Sequence, residues 1–145
     1  MKKRYLIENG YYQIYNRGNR KRDTFYDDHD YEVFLKYVCM YSEKWRIGII
    51  TYCLINNHFH IVLKQYKKDS LPKFMHSVCT AYSMYINSKY DLVGHVFQGR
   101  YKSTYIDSYE SLMNEIDYVI NNPIKHGLVD DIKDYPWVKN PPELL

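Results

Sequence analysis

Apolar and polar positions recur along this chain at two periods, and the switches between the periods mark its elements. Tyr11 to Arg17 alternates and reads as a first strand. Asp28-His29-Asp30 is an acidic opening suited to a helix N-terminus, and Tyr31, Phe34, Leu35, Val38 and Trp45 then recur at helical spacing. Ile47 to Ile55 is apolar and rich in β-branched residues, which predicts a central strand. Asn56-Asn57 reads as a tight turn, because Asn tolerates positive φ, and His58 to about Lys64 returns as the second strand of a hairpin. Leu71, Phe74, Met75, Val78, Tyr82 and Ile86 form a second helical stripe, with Ser70 as its cap and Pro72 in its first turn. Asn87 to Gly94 reads as a polar loop. His95 to Ile106 alternates again, placing Phe97, Tyr101 and Tyr105 on one face and Gln98, Arg100 and Lys102 on the other. Asp107-Ser108 caps a third helix, from Tyr109 to about Asn121, whose stripe is Leu112, Met113, Ile116, Val119 and Ile120. Pro123 ends it, and residues 124–145 read as a wrapped tail.

The order β-α-β-β-α-β-α matches, over its first six elements, the split βαβ or ferredoxin-like layout: an α+β fold with an antiparallel sheet. In that layout two helices cover one sheet face. Strand alternation then sends Phe59, Ile61 and Leu63 to those helices and His58, His60 and Val62 to the opposite face. His58 and His60 lie two residues apart, roughly 6–7 Å by strand rise, a spacing that suits two ligands on one metal ion. A surface or hydrogen-bonded pair has the same spacing, and six His make a chance His-x-His unremarkable. Tyr118 lies off the apolar stripe of the third helix. At about 100° per residue it is nearly opposite Ile116 and beside Ser111, Asn114, Glu115 and Asn122. The element order allows this helix to bring Tyr118 over the histidine face.

With 145 residues, one domain spanning 1–145 is the expectation. No apolar run approaches the ~20 residues of a membrane span, and the basic start Met1-Lys2-Lys3-Arg4 has no long apolar stretch behind it, so no membrane anchor or secretion signal is expected. Three widely spaced Cys in apolar surroundings read as free thiols, which fits a cytoplasmic protein. A net charge of +3 leans toward nucleic acid. The 18 Tyr can fill cores or stack on bases, so residue type alone identifies no nucleophile. Gly18-Asn19-Arg20-Lys21-Arg22 reads either as a solvated turn or as a loop that grips phosphate, with Gly allowing an unusual backbone. Arg100 and Lys102 form a period-two basic stripe open to the same two readings.

Five blocks, taken together and in order, carry a resemblance. They are Asn16-Arg17-Gly18-Asn19, Cys53-Leu54-Ile55-Asn56-Asn57-His58-Phe59-His60 and Gly94-His95-Val96-Phe97-Gln98-Gly99-Arg100-Tyr101-Lys102-Ser103. The others are Tyr118-Val119-Ile120-Asn121-Asn122-Pro123-Ile124-Lys125-His126-Gly127-Leu128-Val129 and Asp134-Tyr135-Pro136-Trp137. The chain resembles the REP-associated tyrosine transposases, within the one-tyrosine HUH single-strand transposases (the IS200-like group). The resemblance implies a nuclease and strand transferase acting on single-stranded or hairpin DNA. His58 and His60 match the paired histidines of the motif, Tyr118 the nucleophile, and Asn122 the third metal ligand. Related enzymes often have Gln there, and Asn121 is the other candidate.

Also implied are a divalent metal, Mg²⁺ or Mn²⁺, and a 5′-phosphotyrosine intermediate. Two imidazoles and an amide would by ligand chemistry also accept zinc. Arg17, Gly18, Asn19, Arg20, Arg100 and Lys102 are the expected DNA contacts. The resemblance leaves monomer and homodimer open, with the Phe97-Gln98-Gly99-Arg100 block pointing to a monomer. The competing class is a domesticated, non-catalytic DNA-binding protein of the same fold. An RNA-binding module would carry aromatics rather than a His pair on the exposed sheet face. A two-histidine phosphodiesterase would need a second His-x-Ser/Thr repeat, which the sequence lacks.

Overall fold

Burial alternates residue by residue along the first strand, β1 (Gly10–Arg17), in a computed structural model that describes residues 6–139. Tyr12, Ile14 and Asn16 face one side; Tyr11, Gln13, Tyr15 and Arg17 face the other. β2 (Ile47–Ile55) and β3 (His58–Gln65) form the expected antiparallel hairpin, β3 pairs with β1, and β4 (Lys102–Ile106) pairs with the outer edge of β1. The sheet order is β4-β1-β3-β2, the ferredoxin-like arrangement, extended by a two-residue strand β5 (Val138–Lys139) on β2.

Helices α1 (Asp28–Trp45) and α2 (Ser70–Tyr90) cover one face. Phe34, Phe74 and Tyr82 pack there on Phe59, Ile61 and Leu63, with Phe34 and Phe59 rings 5.0 Å apart. A second core forms on the opposite face. There Leu112, Ile116 and Val119 of α3 (Tyr109–Ile120) cover Cys53, Ile55 and Val62. The histidine face is therefore partly roofed by α3, and the end of the sheet that carries His58 and His60 stays open to a cleft.

Several local expectations are corrected. The cap of α1 is Asp27, one residue early, in a reciprocal capping box with Asp30. α2 starts at Ser70, but its first turn is capped from a distance: buried Gln65 accepts from the Leu71 N–H at 2.8 Å. α2 also continues to Tyr90 through the segment that reads as a loop, because Tyr85, Lys89 and Tyr90 all bind the buried Asp30 carboxylate. The Asn56-Asn57 turn uses no positive φ. Its carbonyls instead accept from Gly18, Thr24 and Phe25, stitching the basic loop to the hairpin.

Gly18 is extended, with φ −61°. It is required for space, since a Cβ would sit 1.9 Å from the Arg22 carbonyl oxygen, and the positive φ falls on Arg20 and Lys21. Of the strand expected over His95–Ile106, only Lys102–Ile106 is regular. Phe97 makes a lone bridge to Gly18, and the chain leaves β1 between the two. α3 stops at Ile120. A short turn α4 (Asn122–Lys125) resumes after Asn121, with Pro123 where no backbone donor is needed. The tail crosses β2: the Leu54 N–H donates to Trp137 at 2.9 Å, and Trp137 stacks on Tyr31. The basic residues at the N-terminus and Pro141 and Pro142 lie outside the described residues.

Candidate active site

The site assembles at the open end of β3. His58 and His60 project together from the face opposite α1 and α2, 8% and 5% exposed, with ring centroids 5.4 Å apart. Tyr15, their neighbour on β1, wedges against both rings at 5.9 and 4.9 Å. α3 brings in Tyr118, 44% exposed, with its ring edge-on to His60 at 5.5 Å. The break after Ile120 then turns Asn122 inward while Asn121 points out. Asn121 is exposed and its side chain donates back to Asp117. Asn122 is buried, and its Oδ1 lies 3.1 Å from His58 Nε2.

The polar accounts of this cluster do not close. His58 Nδ1 lies 2.7 Å from Asn57 Oδ1 while Nε2 faces Asn122 Oδ1. A neutral imidazole carries one proton and can serve only one of these two acceptors. Asn122 Nδ2 is buried with no partner. Burial holds His58 below the usual imidazole range; the Asn122 oxygen acts the other way, and His126 adds to the depression. His60 is pushed down to about 3, first by burial and then by the charges of His58, His126 and Lys125. Both rings are thus neutral near pH 7, with lone pairs available. An excess of acceptors, neutral imidazoles and a buried amide oxygen together fit a cation. Among the described residues no three His, Cys, Asp or Glu side chains are placed to hold a metal, and the oxygen that faces His58 Nε2 is that of the Asn122 amide. Gln13 reaches His60 Nδ1 at 3.3 Å and influences which ring nitrogen keeps the proton.

These groups open into a cleft of about 530 Å³. Arg17, Lys21, Lys102 and Lys125 line it, and none of its lining side chains is a carboxylate. Lys125 Nζ lies 5.0 Å over the Tyr118 ring. Of the residues expected from the sequence, His58, His60, Tyr118, Arg17 and Lys102 meet here, with Asn122 behind His58. Gly18 closes β1 at the rim and Asn19 donates to the Val96 carbonyl. Arg20 is exposed outside the cleft, and its neighbour Lys21 lines it instead. Arg100 borders two adjoining clefts. Sequence reasoning missed Gln13 and Tyr15, which the alternation of β1 puts on the face of Arg17. It also missed Lys125, seven residues beyond Tyr118 and past the helix break, and beside it His126, whose ring lies 4.9 Å from His58.

A paired-histidine centre on a ferredoxin-like sheet, with a tyrosine helix laid over it, defines the class, and comparison with known proteins gives the family. The family model described as IS200-like transposase matches residues 7–122, and the chain belongs to that family. A Haemophilus influenzae protein, provisionally named REP-associated tyrosine transposase, is 24% identical over 107 residues, 66% of this chain and 60% of its own length. The match thus spans about 60% of that relative's length. A solved REP-associated tyrosine transposase bound to a REP hairpin superposes with a TM-score of 0.82 at 17% identity, covering 95% of this chain and 81% of its own. A provisionally named transposase of Deinococcus radiodurans superposes with a TM-score of 0.56 at 12% identity, covering 84% of this chain and 96% of its own. At these identities the two structures speak for the fold.

Proposed function

We propose that the chain cleaves and rejoins single-stranded DNA beside a hairpin, through a covalent 5′-phosphotyrosine on Tyr118. One observation carries this reading: Tyr118 stands against His60 in a cleft lined by cations and free of carboxylates. A phosphodiester is the anion such a cleft attracts. The hairpin-bound neighbour supports hairpin DNA as the substrate class.

In the proposed reaction the Tyr118 phenol gives up its proton as its oxygen attacks phosphorus, the bond to the 3′ oxygen breaks, and that oxygen takes up a proton and leaves as a 3′-OH. The reverse attack by a 3′-OH restores the phosphodiester and frees the phenol, so rejoining needs no ATP. A divalent ion, Mg²⁺ or Mn²⁺, held by His58, His60 and Asn122 would polarise the scissile phosphate. Arg17, Lys102 and Lys125 bind the flanking phosphates, and Tyr15 keeps the two imidazoles in place. Tyr118 packs against His60 of its own chain, which supports cleavage in cis. No helix among the described residues is long and apolar enough to cross a membrane.

The test is cleavage of labelled single-stranded hairpin DNA with Mg²⁺ or Mn²⁺ and with a chelator. The expected result is a denaturation-resistant protein–DNA adduct that needs the metal. Tight hairpin binding without any adduct would favour the non-catalytic DNA-binding protein instead.

A further inference from the structure

The edge of the sheet opens beside the catalytic cleft. Gly18 bridges Phe97, and Tyr15 pairs with Lys102. Between these pairs two residues of β1, Asn16 and Arg17, oppose four, Gln98 to Tyr101, so the longer segment loops away from the sheet. Gln98 still takes a hydrogen bond to Arg17, from its N–H to the carbonyl at 2.9 Å. Beyond it Gly99 turns with φ +154°, and a Cβ there would meet nothing within 4 Å. Asn16 braces the opening: its buried amide donates to the Gly99 carbonyl at 3.1 Å and accepts from the Arg17 N–H at 2.9 Å.

Three clefts meet through this gap. The catalytic cleft shares Tyr15, Arg17 and Lys102 with a second of about 360 Å³. The second shares Asn16, Gly99 and Arg100 with a third of similar volume, about 360 Å³, which lies against α2. The character of the track changes along its length. Near Tyr118 it is cationic; at its far end Pro72, Met75, Phe97 and Tyr101 form apolar and aromatic walls, with Arg100 at the entrance and Thr80 and His76 on the exposed rim.

Resting on the single-strand reading above, we propose that the third cleft is a nucleobase pocket. It takes one unstacked base from the strand that enters the catalytic cleft, while Arg100 holds that nucleotide's phosphate. An aromatic and thioether wall is what a base needs once it leaves its stack. A basic path leading to that wall is what the attached backbone needs. Thr80 and His76 offer hydrogen-bonding groups to the base edge, so the pocket would read identity at one position of the strand, one cleft removed from the scissile phosphate.

Thr80→Trp fills the pocket from the exposed face of α2, remote from Tyr118 and the histidines. Binding would be measured against hairpin DNA whose single-stranded flank carries an abasic site at one position at a time. For the unaltered chain, one position is expected to lose roughly tenfold in affinity, the scale of one base–aromatic stack. Thr80→Trp should lose about the same on intact DNA and become indifferent to that abasic site. Equal sensitivity to the site in both proteins overturns the pocket. Independently of any variant, 5-iodouracil at the sensitive position should crosslink to residues 75–80 or 97–101, and crosslinks confined to the catalytic cleft overturn it too. Adduct formation with no effect of Thr80→Trp would sink this inference alone; absence of any single-strand binding would sink the parent reading with it.

Discussion

Asp30, on the helix side of the sheet, receives five hydrogen bonds: from the N–H groups of Tyr26 and Asp27, from the phenols of Tyr85 and Tyr90, and from Lys89. His58 and Asn122, on the other side, leave one amide nitrogen without a partner and ask one proton to serve two acceptors. Both clusters are buried and polar, yet they answer to different demands. Around Asp30 every charge is matched, and burial, which alone would raise its pKa, is overcome by Lys89, Tyr90, Tyr26 and Tyr85, leaving the carboxyl at about 2. That cluster locks the start of α1 to the end of α2. Around His58 and His60 burial wins and keeps the rings neutral. A satisfied buried cluster holds a fold together; an unsatisfied one, facing a cation-lined cleft, waits for a ligand.

The contrast can be broken at several points, the most damaging first. Asp30→Ala takes the acceptor from two backbone N–H groups and two phenols, while Lys89 keeps Asp27, and should cost about 2–4 kcal/mol by denaturant melt. A loss under 1 kcal/mol would show the cluster to be ornamental. Acidification should act next. His60 has its folded pKa depressed from 6.5 to about 3. Between those values the unfolded chain binds more protons, so stability falls as pH drops through the window. The loss should reach about 2 kcal/mol between pH 7 and pH 5. His60→Gln should flatten that slope, and an unchanged slope would assign it elsewhere. Asp30 contributes in a lower window, with stability present above its ordinary 3.8 and lost as pH falls toward 2.

Asn122→Leu removes the orphaned amide. In metal-free buffer it should change stability by less than ~1 kcal/mol, or raise it. The same variant should lose the Mn²⁺-induced rise in melting temperature expected of the unaltered chain. An undiminished rise would exclude Asn122 as a donor. The smallest effect belongs to the cleft rim: Arg17→Ala or Lys102→Ala should each lower the slope of log affinity against log salt by about one unit. Arg20→Ala should leave it nearly unchanged, since Arg20 stands outside the cleft.

Much of the fold was legible because it rests on short-range periodicity. Alternation sends Phe59, Ile61 and Leu63 to one core and His58 and His60 to the open face, and the structure agrees. Helical spacing likewise marks Leu71, Phe74, Val78 and Tyr82 as buried. What the pattern does not carry is contact between distant segments. The extension of α2 to Tyr90 depends on Asp30, 60 positions earlier. The need for Gly18 comes from the Arg22 carbonyl, not from its own φ. Gly99 ends the ladder inside a segment whose alternation continues without interruption. At the site, the choice of Asn122 over Asn121 was open in sequence. The helix break at Asn121 turns the Asn122 amide toward His58 and the Asn121 amide out, which makes Asn122 the one to test.

The central claim is that Tyr118, among 18 tyrosines, forms the covalent bond to DNA. It is tested most directly by digesting the adduct formed with single-stranded hairpin DNA and locating the nucleotide-bearing residue by mass spectrometry. The account predicts a nucleotide on the peptide carrying Tyr118, and no adduct from a folded, DNA-binding Tyr118→Phe variant. A nucleotide on Tyr15, Tyr105 or Tyr109, or an undiminished adduct in Tyr118→Phe, would contradict it.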